Sequence, residues 1–510
     1  LMMKRLCFTQ NNCLQIRKHF TRDLIWTRIK LSMNKKLDIH KNNWASTIFT
    51  HGKWYMLSSL ISKGINIFVL RIYTEYLTPS DYGILDTLNT IALLLPFFIS
   101  LYLDSAFGRF YHEYKHDKEK LKQLFSTIFI FVSVFGSIVV FLALASSRLW
   151  VTNLLSIPMY PYIFLAFIPP LFNQLGNLGL IFLRQSLLSK HTAVVEITSV
   201  LINIAIALPL LIWADYGILA KLWGNFATAL SLFLFYTIFF FRNGLLRLTF
   251  NISMLKESLA FSVPLFPVFA GAWIAGVSDR LVIANYSSLE AVGLYSIGFT
   301  IGKLMYVFQD AITQVTGPIT MSGLIADKEA TKIKIAQTSF YIWVVMLYIN
   351  FGMFLFSKEL IAIFADSAYS EAQIIIPIIA FSYVLGSQQR IFATVIAFHK
   401  KNWVISSGGI IQAVTNLGLN VIFVPKYGYF AAAFATVITV FLYSLWLYFW
   451  SQRIEPIQYQ ITRHISYTII LFIIFFGLFY FPVDSLSFRV GIILILGFVS
   501  YGMIRPIKFT

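Results

Sequence analysis

The sequence predicts an all-α polytopic membrane protein of about fourteen transmembrane helices. They are read as two six-helix lobes related by a pseudo-twofold axis, plus two C-terminal helices. Three observations predict this. Apolar runs of about twenty residues recur along the chain, Lys and Arg collect on alternate loops, and short motifs return about 210 residues apart.

Hydrophobic residues make up 58% of the chain and charged residues only 12%, whereas a soluble domain is about a quarter charged. A helix rises about 1.5 Å per residue, so crossing ~30 Å of hydrocarbon takes about 20 apolar residues. Runs such as "IALLLPFFISLYL" and "YTIILFIIFFGLFYF" meet that length with their flanks. The expected spans are 54–76, 86–108, 123–146, 159–183, 191–213, 217–241 and 257–283, then 291–318, 335–357, 371–398, 402–424, 428–450, 464–482 and 486–504.

The loops test that count independently, because Lys and Arg accumulate on the cytoplasmic side. With the N-terminus inside, the inner segments carry 30 Lys and Arg and the outer side carries four: Arg148, Lys221, Lys358 and Lys426. One missed span would invert every later loop and destroy that asymmetry. Both termini are therefore expected in the cytoplasm. The net charge of +18 is mostly this orientation signal, with a basic tail that also suits anionic lipid headgroups. A nucleic-acid partner is not expected, since the cations are spread over many short loops.

Residues 1–53 form a basic cytoplasmic tail, in which "MNKKLDIHKNN" from Met33 reads as the more natural start and 1–32 as an extension. Cys7 and Cys13 both lie in that tail, so no disulfide or cysteine metal site is expected outside the membrane.

Internal repetition gives the lobes. "YLTPSDYGILDTLNTI" at 76–91 is echoed by "YSSLEAVGLYSIGFTI" at 286–301, with Tyr76/Tyr286, Gly83/Gly293, Thr90/Thr300 and Ile91/Ile301 in register. Lys190 precedes a Tyr-Gly at 216–217 as Lys401 precedes one at 427–428, and "FAT" recurs at 226–228 and 434–436. The expected domains are an N-lobe at 54–241, a cytoplasmic linker at 242–256, a C-lobe at 257–450 and two further helices within 464–504. Both copies start inside, so the repeats are parallel, an arrangement in which substrate sites usually lie at the repeat interface near the bilayer midplane.

"SSLISKGINIFVLRIYTEYLTPSDYGILDTLNTI" (58–91) resembles the opening of polysaccharide-unit flippases. These form the Wzx-type branch (O-antigen, capsule and exopolysaccharide) of the multidrug/oligosaccharidyl-lipid/polysaccharide exporter superfamily. "DRLVIANYSSLEAVGLYSIGFTIGKL" (279–304) and "VPKYGYFAAAFATVI" (424–438) are similar to the matching stretches of spans 7–8 and 11–12. The resemblance covers roughly 54–505, and the tail before Met33 lies outside it. It implies a cavity opening alternately to each side of a bacterial cytoplasmic membrane. The implied cargo is an undecaprenyl-pyrophosphate-linked oligosaccharide, and the implied partners are membrane lipids with polysaccharide polymerase and chain-length proteins.

Ionisable side chains inside spans cost about 2.5–3.5 kcal/mol each at the helix centre on insertion scales, so they mark cavities or pairs. Lys63, Arg71, Arg280 and Lys303 are expected to line the cavity and hold a pyrophosphate through charge-assisted hydrogen bonds. Asp104, Glu196, Asp279, Asp310 and Arg390 are expected to act in gating or coupling. The competing pairings are Arg71 with Glu75 one turn on and Lys303 with Asp310 two turns on. Aromatics, at 17%, crowd span ends in the manner of an interfacial belt.

A membrane glycan polymerase or ligase would need a folded loop carrying acid and base groups. The longest outer loop, around 358–370, has about a dozen residues, and all eight His fall on the inner side. With no nucleotide loop, carboxylate pair or ligand cluster in the sequence, no catalytic residue, metal or cofactor is expected. A drug/cation antiporter of the same superfamily is the nearer alternative, and it would call for an acidic cavity where this chain has lysines.

Overall fold

The computed structural model describes residues 44–186, 188–480 and 485–504. Of the expected tail at 1–53, residues 1–43, with Cys7, Cys13 and Met33, lie outside the described residues, and 44–53 belong to the first helix. In chain order the principal helices are α1 (Trp44–Tyr76), α2 (Pro79–Ala92), α3 (Lys118–Ser147), α4 (Pro169–Gln185), α5 (Ser189–Ile212), α6 (Ile218–Arg242) and α7 (Asp279–Tyr286). They continue with α8 (Leu289–Gly302), α9 (Met305–Ala326), α10 (Lys328–Leu355), α11 (Ile375–Phe398), α12 (Asn402–Ile454), α13 (Ile461–Tyr480) and α14 (Leu486–Ile504). Among the described residues there is no strand, and ten helices are long and apolar enough to cross a membrane. The fold is the expected all-α polytopic one.

Local chemistry sets the helix starts. Thr78 and Asp81 close a reciprocal cap before α2: the Thr78 N–H donates to the Asp81 carboxylate at 3.1 Å, and the Asp81 N–H to the Thr78 hydroxyl at 3.2 Å. Ser288, 210 residues on, caps α8 by accepting from the Ala291 N–H at 3.0 Å. Asp117 and Asp327 cap α3 and α10 in the same way, each at 3.1 Å.

Several expected single spans are broken. Span 2 runs as α2, Leu95–Ser100 and Leu103–Tyr114, and its second break falls where Leu101 and Tyr102 take left-handed backbone angles. Span 7 is interrupted at Val263–Leu265, where Pro264 supplies no N–H. Spans 11 and 12 appear as one element, α12, that turns at Gly428 (φ 62°, ψ −155°). Beyond that turn the chain folds back, so that the Tyr443 hydroxyl donates to the Ile405 carbonyl at 3.0 Å. Gly217, in the sequence echo of Gly428, has φ 50° and ψ −129°. Both lie in a region essentially closed to residues with a Cβ. The repeated Tyr-Gly therefore encodes one backbone shape twice.

Packing groups the chain into two units. Of the described residues, the first takes those up to Ile67 with those in Ile91–Pro267, and the second takes Phe68–Thr90 with those from Val268. The hairpin joining α1 to α2 thus packs with the C-terminal part of the chain. The first unit is cemented by aromatics, with Phe125 and Phe240 rings 4.8 Å apart and Phe182 and Phe240 5.3 Å apart. The second has a large core along α10, α11 and α12, reached by Tyr467 and Leu471 of α13 and Leu496 of α14. Large apolar side chains such as Phe68, Phe141 and Phe498 face outward, as a lipid-facing surface requires.

Candidate functional site

The two echoed hairpins meet. At Gly83 and Gly293 the backbones of α2 and α8 come so close that a Cβ on Gly83 would collide with the Leu289 carbonyl, and one on Gly293 with the Pro79 carbonyl. Pro79 and Leu289 are themselves 210 residues apart, as are the two glycines. The crossing is therefore symmetric within the second unit, with each hairpin giving the other the same contact.

This close approach brings charge together one turn further on. The Ser296 hydroxyl donates to Asp86 Oδ2 at 2.5 Å. Arg280 donates from Nε to Asp86 Oδ2 at 2.7 Å and from Nη1 to Asp279 Oδ1 at 2.9 Å. The Tyr295 hydroxyl donates to the second oxygen of Asp279. Arg280 also lies 4.4 Å from the centroid of the Phe299 ring, a cation–π contact that suits a guanidinium. Its side chain is 7% exposed and that of Asp279 5%, so two carboxylates balance this cation inside the protein. Arg280 and Asp279 are thus partners in one buried cluster, and the guanidinium is already gripped by protein.

Arg71, near the end of α1, donates to the Ala365 carbonyl and stands 3.9 Å from Asp366. Its carboxylate neighbour is Asp366, where the sequence offered Glu75. The Asp366 N–H donates to the Thr74 hydroxyl at 3.0 Å and the Tyr369 hydroxyl to the Leu77 carbonyl at 2.8 Å. These bonds fasten the end of α1 to the loop before α11. The Ala368 N–H, with Ser367 and Arg71, holds the Asp366 carboxyl below its usual pKa.

In the first unit, Glu196 accepts from Arg184 at 2.6 Å and from the Ser58 hydroxyl at 2.7 Å, linking α5 to α4 and α1. Asp104 stands in the first turn of Leu103–Tyr114, where a carboxylate opposes the positive helix end. In the second unit the Arg390 guanidinium lies 5.7 Å from the Tyr306 ring, and Tyr306 is 3.5 Å from Asp310. Lys63 and Lys303 are exposed on otherwise apolar helical stretches, Lys63 within the first unit and Lys303 within the second.

Three groups were not singled out in the sequence. Asp86 sat inside the quoted hairpin, and its signal was a carboxylate one turn past the repeated Gly. Arg489 of α14 clasps Glu359 at 2.5 Å and donates to the Leu355 carbonyl at 2.9 Å; its signal was a lone cation in an apolar span. Glu455 follows α12 and gathers Lys328 at 2.5 Å, Lys332 at 2.6 Å and His399 at 3.1 Å. Burial pushes the Glu455 carboxyl up, but hydrogen bonds from Lys328 and Lys332 outweigh it and leave the pKa lowered. No group of three or more His, Cys, Asp or Glu placed to hold a metal occurs among the described residues.

Residues 72–374 match the model of a family described as polysaccharide biosynthesis protein. The chain belongs to that family. Among solved structures it is similar to the lipid II flippase MurJ in an inward closed conformation, with TM-score 0.65 and 16% identity over 89% of this chain and 98% of that one. It is also similar to an inward-facing multidrug resistance MATE transporter of the MOP superfamily, with TM-score 0.56 and 16% identity over 78% of this chain and 94% of that one. A MOP-superfamily transporter from Pyrococcus furiosus, described as having a binding pocket of reverse polarity, gives TM-score 0.51 and 15% identity over 80% and 94%. At these identities the likeness concerns the fold alone. No curated relative matches the sequence.

Proposed function

We propose that this member of the polysaccharide biosynthesis family is a flippase. It carries undecaprenyl-pyrophosphate-linked oligosaccharide units across the bacterial cytoplasmic membrane by alternating access, and it feeds surface polysaccharide assembly. The observation that carries this reading is the sign of the intramembrane charge in a chain of this family. Lys63 and Lys303 stand exposed in stretches where a charge costs about 2.5–3.5 kcal/mol on insertion scales. Cations kept at such cost suit an anionic pyrophosphate headgroup. The polyprenyl tail, as hydrocarbon, stays in lipid.

In this reading Lys63 and Lys303 each supply charge-assisted hydrogen bonds to phosphate oxygens during passage. Arg71 and Arg280 act instead through their carboxylate partners, fastening the hairpins that the cycle must part. The Gly83–Gly293 crossing with its Ser296–Asp86 bond is then a closed gate, outward-facing by the loop-charge count. Asp104, Glu196, Asp310 and Arg390 are assigned to coupling or to the opposite gate. The lysines argue against a cation antiporter, whose cargo they would repel.

Export in cells tests the reading. Cells lacking the protein should accumulate single lipid-linked units on the cytoplasmic face and lose surface polysaccharide. Unchanged glycan with raised sensitivity to cationic drugs would instead favour the antiporter.

A further inference from the structure

A second polar feature lies wholly inside the first unit. Between α4, α5 and α6 is a cavity of about 270 Å³, lined by Asn173, Gln174 and Asn177 of α4, Glu196 and Ser199 of α5, and Tyr236 of α6. The three amides occupy positions i, i+1 and i+4 of one helix, and Glu196 and Ser199 are i and i+3 on the next, so both helices aim polar groups at the same space. Among the described residues no protein group hydrogen-bonds the three amides. Asn173 is exposed and Asn177 half-buried, whereas the Tyr236 hydroxyl is buried without a partner.

Polar side chains that converge on one space without partners in the protein are free to take a ligand, and a buried hydroxyl left unpaired costs about 1–3 kcal/mol by protein mutational data. The charge of the site says which kind of ligand. Glu196 is balanced by Arg184 at 2.6 Å, so the site offers no net charge to a cation or an anion. An amide brings two donors and one acceptor, the Ser199 hydroxyl accepts while donating to the Val195 carbonyl at 2.7 Å, and the Glu196 carboxylate keeps lone pairs beyond those taken by Arg184 and Ser58. That set matches a neutral ligand dense in hydroxyl groups. Leu180, Val195 and Leu232 complete the wall with an apolar surface for C–H groups. The volume falls just below the ~300–1,000 Å³ of sites for drug-sized ligands, which suits one ring and not a chain.

We propose that this cavity is a subsite for a single neutral sugar ring, selecting it by the pattern of its hydroxyls. The source of that ring, the cargo oligosaccharide, rests on the flippase reading; the binding chemistry rests on the cavity.

The test uses the full chain in lipid nanodiscs, with saturation-transfer NMR and methyl glycosides of glucose, galactose, mannose, rhamnose and N-acetylglucosamine as probes. At least one glycoside should receive transfer. Asn177→Leu and Gln174→Leu, each checked for monodisperse elution, should reduce it at least fivefold, and Lys334→Ala should leave it unchanged. Where either leucine variant fails to fold, Asn173→Ala removes an amide without adding bulk and should reduce the signal in the same direction. No transfer to any glycoside, or equal transfer in all variants, overturns the proposal. A sodium-23 signal that depends on Glu196, without glycoside transfer, overturns it in favour of a cation site. The flippase reading fails separately. If glycan export persists in cells lacking the protein while transfer depends on Asn177, the sugar subsite stands without the flippase. If export is lost and no glycoside binds, the flippase stands without the subsite.

Discussion

Arg280 is held between two carboxylates, Asp86 and Asp279, inside the second unit. Removing it leaves Asp279 and Asp86 facing each other with their counter-charge gone, and breaking a buried pair in this way costs about 3–5 kcal/mol. Arg280→Met should therefore lower the thermal midpoint of the purified protein clearly. The lysines should show in transport: the Lys63→Ala, Lys303→Ala double variant should abolish polysaccharide export at unchanged membrane abundance. Normal export from that variant would remove both lysines from the site. Glu455 gives a pH dependence. Its folded pKa is lowered, so its contribution is present above the unfolded carboxylate value and is lost as pH falls through the depressed folded value. Glu455→Gln should flatten the acid limb of a stability–pH profile recorded by thermal melts, and an unchanged acid limb would count against the cluster with Lys328 and Lys332.

At the scale of elements, the α2–α8 crossing depends on the absence of two side chains. Gly83→Ala places a methyl group against the Leu289 carbonyl, an overpacking that costs about 1–3 kcal/mol. That energy is enough to shift an equilibrium between joined and parted hairpins. Spin labels at Asp81 and Glu290, read by pulsed dipolar spectroscopy, should report longer distances in Gly83→Ala than with Gly83 intact. Identical distributions would mean that the crossing is no gate. The repeat was legible in the sequence because a positive-φ Tyr-Gly turn and a backbone contact both demand glycine, at offsets of 211 and 210 residues. The breaks in spans 2 and 7 were not legible from hydropathy. Apolar runs record residence in lipid but not the left-handed angles of Leu101 and Tyr102 or the interruption at Val263–Leu265.

For the whole molecule, the all-α polytopic fold class followed from run length, which is set by the bilayer and not by side-chain detail, and ten of the described helices are long and apolar enough to cross it. The candidate site was legible only in part. Intramembrane charges can be found by position, but what holds them depends on partners hundreds of residues away, such as Asp86 for Arg280 and Asp366 for Arg71. The polar cavity of the first unit was invisible for a related reason: Asn, Gln, Ser and Tyr do not interrupt hydropathy enough to stand out. The molecule-scale claim is that an anionic lipid-linked oligosaccharide crosses the membrane on this chain. The most direct measurement is the amount and sidedness of lipid-linked oligosaccharide in cells lacking the protein. The account predicts single units held on undecaprenyl pyrophosphate at the cytoplasmic face, together with loss of surface polysaccharide. Unchanged lipid-linked pools with intact surface polysaccharide would contradict it.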